Sequence, residues 1–130
     1  MSSARVDNCI FCRHNLKGKI VDENESMLVI NDAFPASPGH ALIIPKRHVA
    51  DYFQLSQKEL RDANLLLAKT RERILQFDPL VEGFNVGVNC GAVAGQTVFH
   101  VHIHLIPRRE GDTPNPRGGV RGVIPAQMSY

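Results

Sequence analysis

Apolar and polar positions along the chain divide it into short segments of period two and one long segment of period three to four. Residues 19–22 (KIVD) and 27–31 (MLVIN) flank the polar stretch ENES, which predicts a hairpin with a short loop. Residues 31–40 (NDAFPASPGH) carry two prolines and a glycine and are expected to form a loop. The apolar run Ala41-Leu42-Ile43-Ile44 then reads as a buried strand stopped by Pro45. Ser56-Gln57-Lys58-Glu59 is a capping-box pattern, so a helix should open there and run to about Phe77. Leu60, Ala63, Leu67, Thr70 and Ile74 recur at steps of three and four and predict its inward stripe. Phe84-Asn85-Val86-Gly87-Val88-Asn89 alternates as a strand does, and the glycine-bearing loop CGAVAGQ follows. The segment FHVHIHLIPRR, residues 99–109, predicts the last strand, ended by Pro107. From Gly111 the tail is rich in Pro, Gly and Arg and is expected to be extended. With no internal repeat and no low-complexity linker, residues 1–130 read as a single domain, with a core over 1–110 and a tail over 111–130. About five strands and one long helix predict an α+β fold with a mostly antiparallel sheet.

Composition narrows the function classes. At 43% apolar and 22% charged residues the chain sits in the globular range. A net charge of +2 gives no reason to expect nucleic acid or a membrane surface as partner. No apolar run approaches the roughly 20 residues of a spanning helix, and the N-terminus lacks a secretory apolar region. The expected location is therefore cytoplasmic. In that compartment three cysteines, two of them in Cys9-Ile-Phe-Cys12, suit a metal or redox site better than a disulfide framework.

The alternation in residues 99–109 changes the picture most. Side chains two apart on a strand share a face, roughly 6.5–7 Å from one another. Phe99, Val101, Ile103 and Leu105 should then pack inward while His100, His102 and His104 line the opposite face. Histidine as filler on a wet face is the plain alternative. Three in strict alternation, after a glycine-bounded loop with Gln96 and Thr97, argue against it. Two chemistries fit. Imidazoles at i and i+2 can share a metal, or one can be a nucleophile with neighbours as general acid and anion binder. Imidazole is largely neutral near pH 7 and forms a labile phosphorus adduct. Gly91, Gly95, Gln96 and Thr97 would place backbone amides and polar side chains where a phosphate could sit.

The run His100-Val101-His102-Ile103-His104-Leu105-Ile106 resembles the signature of the histidine triad (HIT) family. Pro38-Gly39-His40-Ala41-Leu42-Ile43-Ile44-Pro45-Lys46-Arg47-His48 is similar to that family's second block, and Ala94-Gly95-Gln96-Thr97-Val98 to the lead-in to its triad. The likeness runs from about Cys9 to Arg109. It implies a HIT-like fold, a five-stranded sheet against one long helix and a short helix, in a homodimer acting at the α-phosphate of nucleotide derivatives. By the resemblance, His102 is the nucleophile, His104 binds phosphate and protonates the leaving group, and His40 supports the nucleophile by hydrogen bonding. Thr97, Gln96 and Asn89 fall at phosphate-contacting positions. Asp32 falls at the ribose position, with a turn-forming Asp as its plain reading. Phe11, Ile30 and Leu42 match the apolar base pocket and could equally be core.

Cys9 and Cys12 have the spacing of a zinc thiolate pair. Some HIT members and related uridylyltransferases complete such a pair with the positions of His48 and His100, which implies a structural zinc. A redox dithiol or buried cysteines are the alternatives, and Cys90 reads as a core thiol. Arg108, Arg109, Arg117 and Arg121 would either reach distal phosphates or form a solvated basic end. The first expectation for substrate is a dinucleoside polyphosphate such as diadenosine tetraphosphate, followed by a nucleoside phosphoramidate. A metallohydrolase using all three triad histidines, or a nucleotide-binding regulatory module with weak catalysis, are the rival classes.

Overall fold

The computed structural model describes residues 8–130. Its apolar runs form strands buried on both faces. Strand β2 (Met27–Asn31) is buried at its first four positions and β3 (Ala41–Pro45) at all five. Alternation sends Met27, Val29, Ala41 and Ile43 into one core, and Leu28, Ile30, Leu42 and Ile44 into another. The first core is closed by Ala63 and Leu66 of helix α1 (Gln57–Phe77), the second by Leu16 with Phe11 and Ile20 packed around it. The expected hairpin is present: β1 (Ile20–Glu23) pairs antiparallel with β2. Strands β4 (Val81–Val88) and β5 (Ile103–Arg109) complete an all-antiparallel sheet in the order β1-β2-β3-β5-β4. The N-terminal segment covers only the β1–β3 side of the second face. The part over β5 and β4 stays open, and there His104 stands opposite Gly87.

Helix α1 opens with the expected capping box between Ser56 and Glu59. Its buried face is turned from the apolar stripe. Leu60, Leu67 and Ile74 are half-buried, whereas Glu59, Asp62, Ala63, Leu66 and Thr70 are buried. The two acids tolerate burial because they are partnered. Arg47 Nη2 donates to Glu59 at 2.8 Å, and Ser26 Oγ donates to Asp62 at 2.6 Å. These partners come from distant loops, so apolar periodicity could not reveal them.

Strand β5 begins four residues later and ends beyond the expected boundary. Residues 99–102 lie outside the ladder, and Phe99, expected in the core, is 50% exposed. The Val101 N–H is instead taken by the Val49 carbonyl at 2.8 Å, which ties this stretch to the loop after β3. Pro107 does not end the strand. The β3 ladder stops at Ala41 opposite Leu105, so the missing N–H of Pro107 falls where no ladder partner stands. Its carbonyl on that side accepts from Ser37 Oγ at 2.6 Å.

The tail, expected to be extended, is wound into two 3₁₀ helices, Gly119–Val123 and Pro125–Gln127. Gly118, at φ +94°, makes the turn into the first of them, and a Cβ there would overlap the Met128 carbonyl. Tyr130 closes the tail, with the guanidinium carbons of Arg117 and Arg121 each 4.9 Å from its ring centroid.

Removing the helix cap isolates the contribution of one turn. Ser56→Ala is expected to lower stability by about 1 kcal/mol, read as a lower urea midpoint with an unchanged slope.

Candidate functional site

The short 3₁₀ turn after Cys12, the loop after β3 and the turn before β5 meet at one point. Cys12 Sγ lies 3.3 Å from His48 Nδ1 and 3.7 Å from His100 Nδ1, and Cys9 Sγ lies 3.5 Å from His100 Nδ1. The donor atoms of all four residues fall within 4.8 Å of one another. A tetrahedral zinc with ligands at about 2.0–2.3 Å holds its donors roughly 3.3–3.8 Å apart, so these spacings and the Cys₂His₂ donor set fit that ion. The second nitrogen of His100, Nε2, donates to the Pro45 carbonyl at 2.8 Å, the outer-shell bond that fixes a ligating imidazole. Cys9, Cys12, His48 and His100, expected together from spacing and likeness, are thus brought together. Burial pushes the His100 imidazole down to about 4, so the ring is neutral, as a ligand must be.

The other two triad histidines point to different partners, so the three imidazoles do not converge on one metal. The Nδ1–H of His102 donates to the His100 carbonyl at 2.9 Å. That bond leaves the Nε2 lone pair of His102 uncommitted. His40 Nδ1 accepts from the Ala36 N–H at 2.9 Å, which puts the proton of the neutral ring on Nε2. That N–H meets His104 Nδ1 at 2.9 Å. The proton of neutral His104 is therefore on its Nε2. The expected hydrogen bond from His40 to His102 is replaced by one to His104, because β3 pairs with β5 at Leu42 opposite His104 and seats His40 near that end. Asp32 Oδ2 stands 3.4 Å from His40 Nε2 and 4.0 Å from His104 Nδ1. Burial holds His40 and His104 below the ordinary imidazole value, and for His104 the neighbouring His102 and His40 add to it. Asp32 opposes the shift at both.

A cavity of about 370 Å³ opens beside these groups. Phe11, Ile30 and Leu42 form its apolar end, and Asp32, Asn89, Thr97, His102 and His104 line the rest. The Phe11 ring meets the His102 ring edge-on at 4.9 Å, so one apolar side chain serves both the slot and the imidazole. Lys19 and Phe34 also line this cavity. Neither was singled out from the sequence: Lys19 opens the KIVD segment of the predicted hairpin, Phe34 lies in the 31–40 loop, and no chemical motif surrounds either.

Gln96 departs from expectation. It is buried, its Oε1 accepts from the Gly91 N–H at 2.9 Å, and its Nε2 donates to the Ala50 and Val98 carbonyls at 2.7 and 3.1 Å. Both its donors are spent on backbone, so it braces the glycine loop and does not line the cavity. The arginines are engaged as well. Arg108 bonds Asp112 at 2.8 Å and Asn85 at 2.6 Å, and Arg109 bonds Asp78 at 2.7 Å and the Pro38 carbonyl at 2.8 Å.

Comparison with known proteins agrees with this geometry. The HIT domain model matches residues 13–111. The chain is 40% identical over 105 residues to an adenosine 5'-monophosphoramidase of Schizosaccharomyces pombe, covering 78% of this chain and 74% of that one. A crystal structure of a HIT family protein from Bacillus anthracis superposes with TM-score 0.74 at 37% identity, over 83% of this chain and 78% of that one. A zinc-bound histidine triad family protein from Mycobacterium smegmatis superposes with TM-score 0.66 at 32% identity, over 83% and 80% of the two chains.

The depressed imidazoles have a thermodynamic consequence. A histidine whose pKa is lowered by folding takes up its proton more readily in the unfolded chain, so stability falls as pH drops below the ordinary value of 6.5. The urea midpoint is expected to be lower at pH 5.5 than at pH 7.5. Equal midpoints would mean that the buried imidazoles are not held neutral by the fold.

Proposed function

The chain belongs to the HIT domain family, and from that premise and the geometry of its site we propose that it is a nucleotidyl hydrolase working through a covalent intermediate on His102. One observation carries the reading: His102 has Nδ1 committed to a backbone carbonyl and Nε2 free at the wall of a cavity with an apolar slot. That is the state an imidazole nucleophile requires. Phe11, Ile30 and Leu42 would take the base and Asp32 the ribose hydroxyls, while Asn89 and Thr97 stand at the phosphate.

His102 Nε2 attacks the α-phosphorus, and the bond from phosphorus to the leaving atom breaks as His104, which enters the step as the imidazolium, gives that atom its Nε2 proton and becomes neutral. Water then attacks the nucleotidyl-His102 phosphorus, the P–N bond breaks, and the water proton returns to His104 to release the nucleoside monophosphate. His40 and Asp32 act on His104. His40 fixes the ring through Nδ1, and the carboxylate favours the imidazolium that must form. Of the two substrate classes expected, nucleoside phosphoramidates are better supported than dinucleoside polyphosphates. Arg108 and Arg109 are tied to protein partners and offer little to distal phosphates, and one relative is an adenosine 5'-monophosphoramidase.

Zinc is proposed as the ion held by Cys9, Cys12, His48 and His100, where it would pin the turn before β5 and take no part at phosphorus. A homodimer fits the outer edge of β4, an eight-residue strand with no neighbour on that edge among the described residues, where Val86 is 49% exposed. Among the described residues no helix is long and apolar enough to cross a membrane. A cytoplasmic location is proposed with it.

His102→Gly is expected to lower turnover of an adenosine phosphoramidate by roughly 10³-fold or more, and to abolish the acid-labile nucleotidyl label of the native chain. Full activity in this variant would reject the mechanism. Replacing Cys9 and Cys12 by Ser together is expected to reduce bound zinc from about one equivalent to under a tenth, measured by elemental analysis, and to lower the melting temperature. Native protein that binds no zinc would reject the metal assignment.

A further inference from the structure

The turn that carries Cys9 and Cys12 also builds the slot of Phe11, Ile30 and Leu42. The Cys12 N–H donates to the Cys9 carbonyl at 3.3 Å, which closes a four-residue turn over Cys9-Ile10-Phe11-Cys12. Its two middle residues both line the cavity, and the Phe11 ring lies edge-on to His102 at 4.9 Å. Its two outer residues hold the thiols, Cys9 half-buried and Cys12 buried, with the Sγ atoms within 4.8 Å of each other. A turn closed in this way brings its end Cα atoms within about 7 Å, and a disulfide spans about 4.4–6.8 Å. The sulfurs can therefore be joined by a small movement of this turn, and Ile10 and Phe11 move with it. A second route leads from the same thiols to the same imidazole. Cys9 Sγ and Cys12 Sγ lie 3.5 and 3.7 Å from His100 Nδ1, and the His100 carbonyl accepts the Nδ1–H of His102. The third cysteine, Cys90, follows the end of β4 and is outside this cluster.

We propose that Cys9 and Cys12 are a peroxide-responsive pair whose closure as a disulfide shuts the slot to nucleotide. The inference rests on the reading of that cavity as the nucleotide site. The half-buried Cys9 meets hydrogen peroxide first. Its thiolate attacks one peroxide oxygen, the O–O bond breaks, hydroxide leaves, and a sulfenic acid remains on Cys9. The Cys12 thiolate then attacks that sulfur, the S–S bond forms, and the S–O bond breaks to release a second hydroxide. The two sulfurs thus give up two electrons, one peroxide takes them, and two protons from solvent turn the hydroxides into water. Zinc, where the four side chains hold it, leaves as the ion, because a disulfide offers no thiolate ligand. Joined sulfurs stand about 2.05 Å apart, so both cannot keep their places against His100. The fully buried ring then needs another partner for Nδ1, and its movement shifts the carbonyl that orients His102. The tightened turn draws Ile10 and Phe11 off the positions that shape the slot. A dithiol reverses the change by exchange.

The experiment titrates the full chain with hydrogen peroxide and follows intact mass, free thiols, released zinc and affinity for adenosine monophosphate. Oxidation is expected to lower the mass by two hydrogens, to consume two of the three thiols, and to link Cys9 to Cys12 on peptide mapping. The bound zinc should be released, and affinity for the nucleotide should fall by roughly tenfold or more. Dithiothreitol with zinc should restore both. Cys90→Ser should respond as the native chain does, whereas Cys9→Ser with Cys12→Ser should have an affinity that peroxide no longer changes. The native chain before and after oxidation decides the matter even where the double variant does not fold. Oxidation to sulfinic acid without the linkage, a disulfide through Cys90, or a Cys9–Cys12 linkage that leaves affinity within about threefold overturns the inference. The parent readings fail separately. A reduced chain that binds no adenosine monophosphate rejects the nucleotide slot and the inference together. A chain without zinc that still forms the linkage and loses affinity rejects only the metal assignment.

Discussion

His100 is the point on which the site depends. Its ring is fully buried, with Nδ1 against the two thiols and Nε2 bonded to the Pro45 carbonyl. Its own carbonyl accepts the Nδ1–H of His102. One residue therefore fixes the turn before β5 from three directions and sets the tautomer of its neighbour. A buried neutral imidazole with both nitrogens used is strongly localised, since leaving either polar atom unpaired there would cost about 1–3 kcal/mol. The Nε2 of His102 inherits that rigidity through the backbone.

Sheet pairing supplies the second fixed relation. Leu42 opposite His104 and Gly87 opposite His104 put β3 and β4 on either side of that imidazole. From β3 comes His40, just before the strand starts, together with the loop that carries Asp32. From β4 comes a glycine, so nothing covers His104 on that side and the tail can form a cleft above it. The site is thus a division of labour along one strand. His100, in the cluster with Cys9, Cys12 and His48, holds its entry, His102 with its uncommitted Nε2 sits next, and the hydrogen-bonded His104 comes after it between two cavities.

The comparison of sequence with structure is instructive where they part. The capping box of Ser56 and Glu59 was legible because it is a local pattern read by local hydrogen bonds. The Cys-x-x-Cys pair was legible from its spacing, and the family resemblance joined His48 and His100 to it. Glu59 and Asp62 in the buried face of α1 were not, because their partners Arg47 and Ser26 arrive from other loops. Gln96 reads as a phosphate contact by position, and only the loop path shows its amide turned inward to Ala50 and Val98. His40 was identified as a supporting histidine, but the imidazole it supports depends on strand register.

By itself the sequence determined the α+β class and the extent of the helix, and through its resemblance to the histidine triad family it singled out His102 and the four Cys and His side chains that the fold clusters. The first two follow from local periodicity, the others from motifs whose order and spacing carry the resemblance. Tertiary structure decided where β5 begins, which imidazole His40 bonds, the inward turn of Gln96, and the engagement of Arg108 and Arg109 by Asp112 and Asp78. It also decided that the tail folds back to wall a cleft beside His104. Each of these is a choice among hydrogen-bond or packing partners far apart in the chain, and only the folded geometry brings one of them within reach.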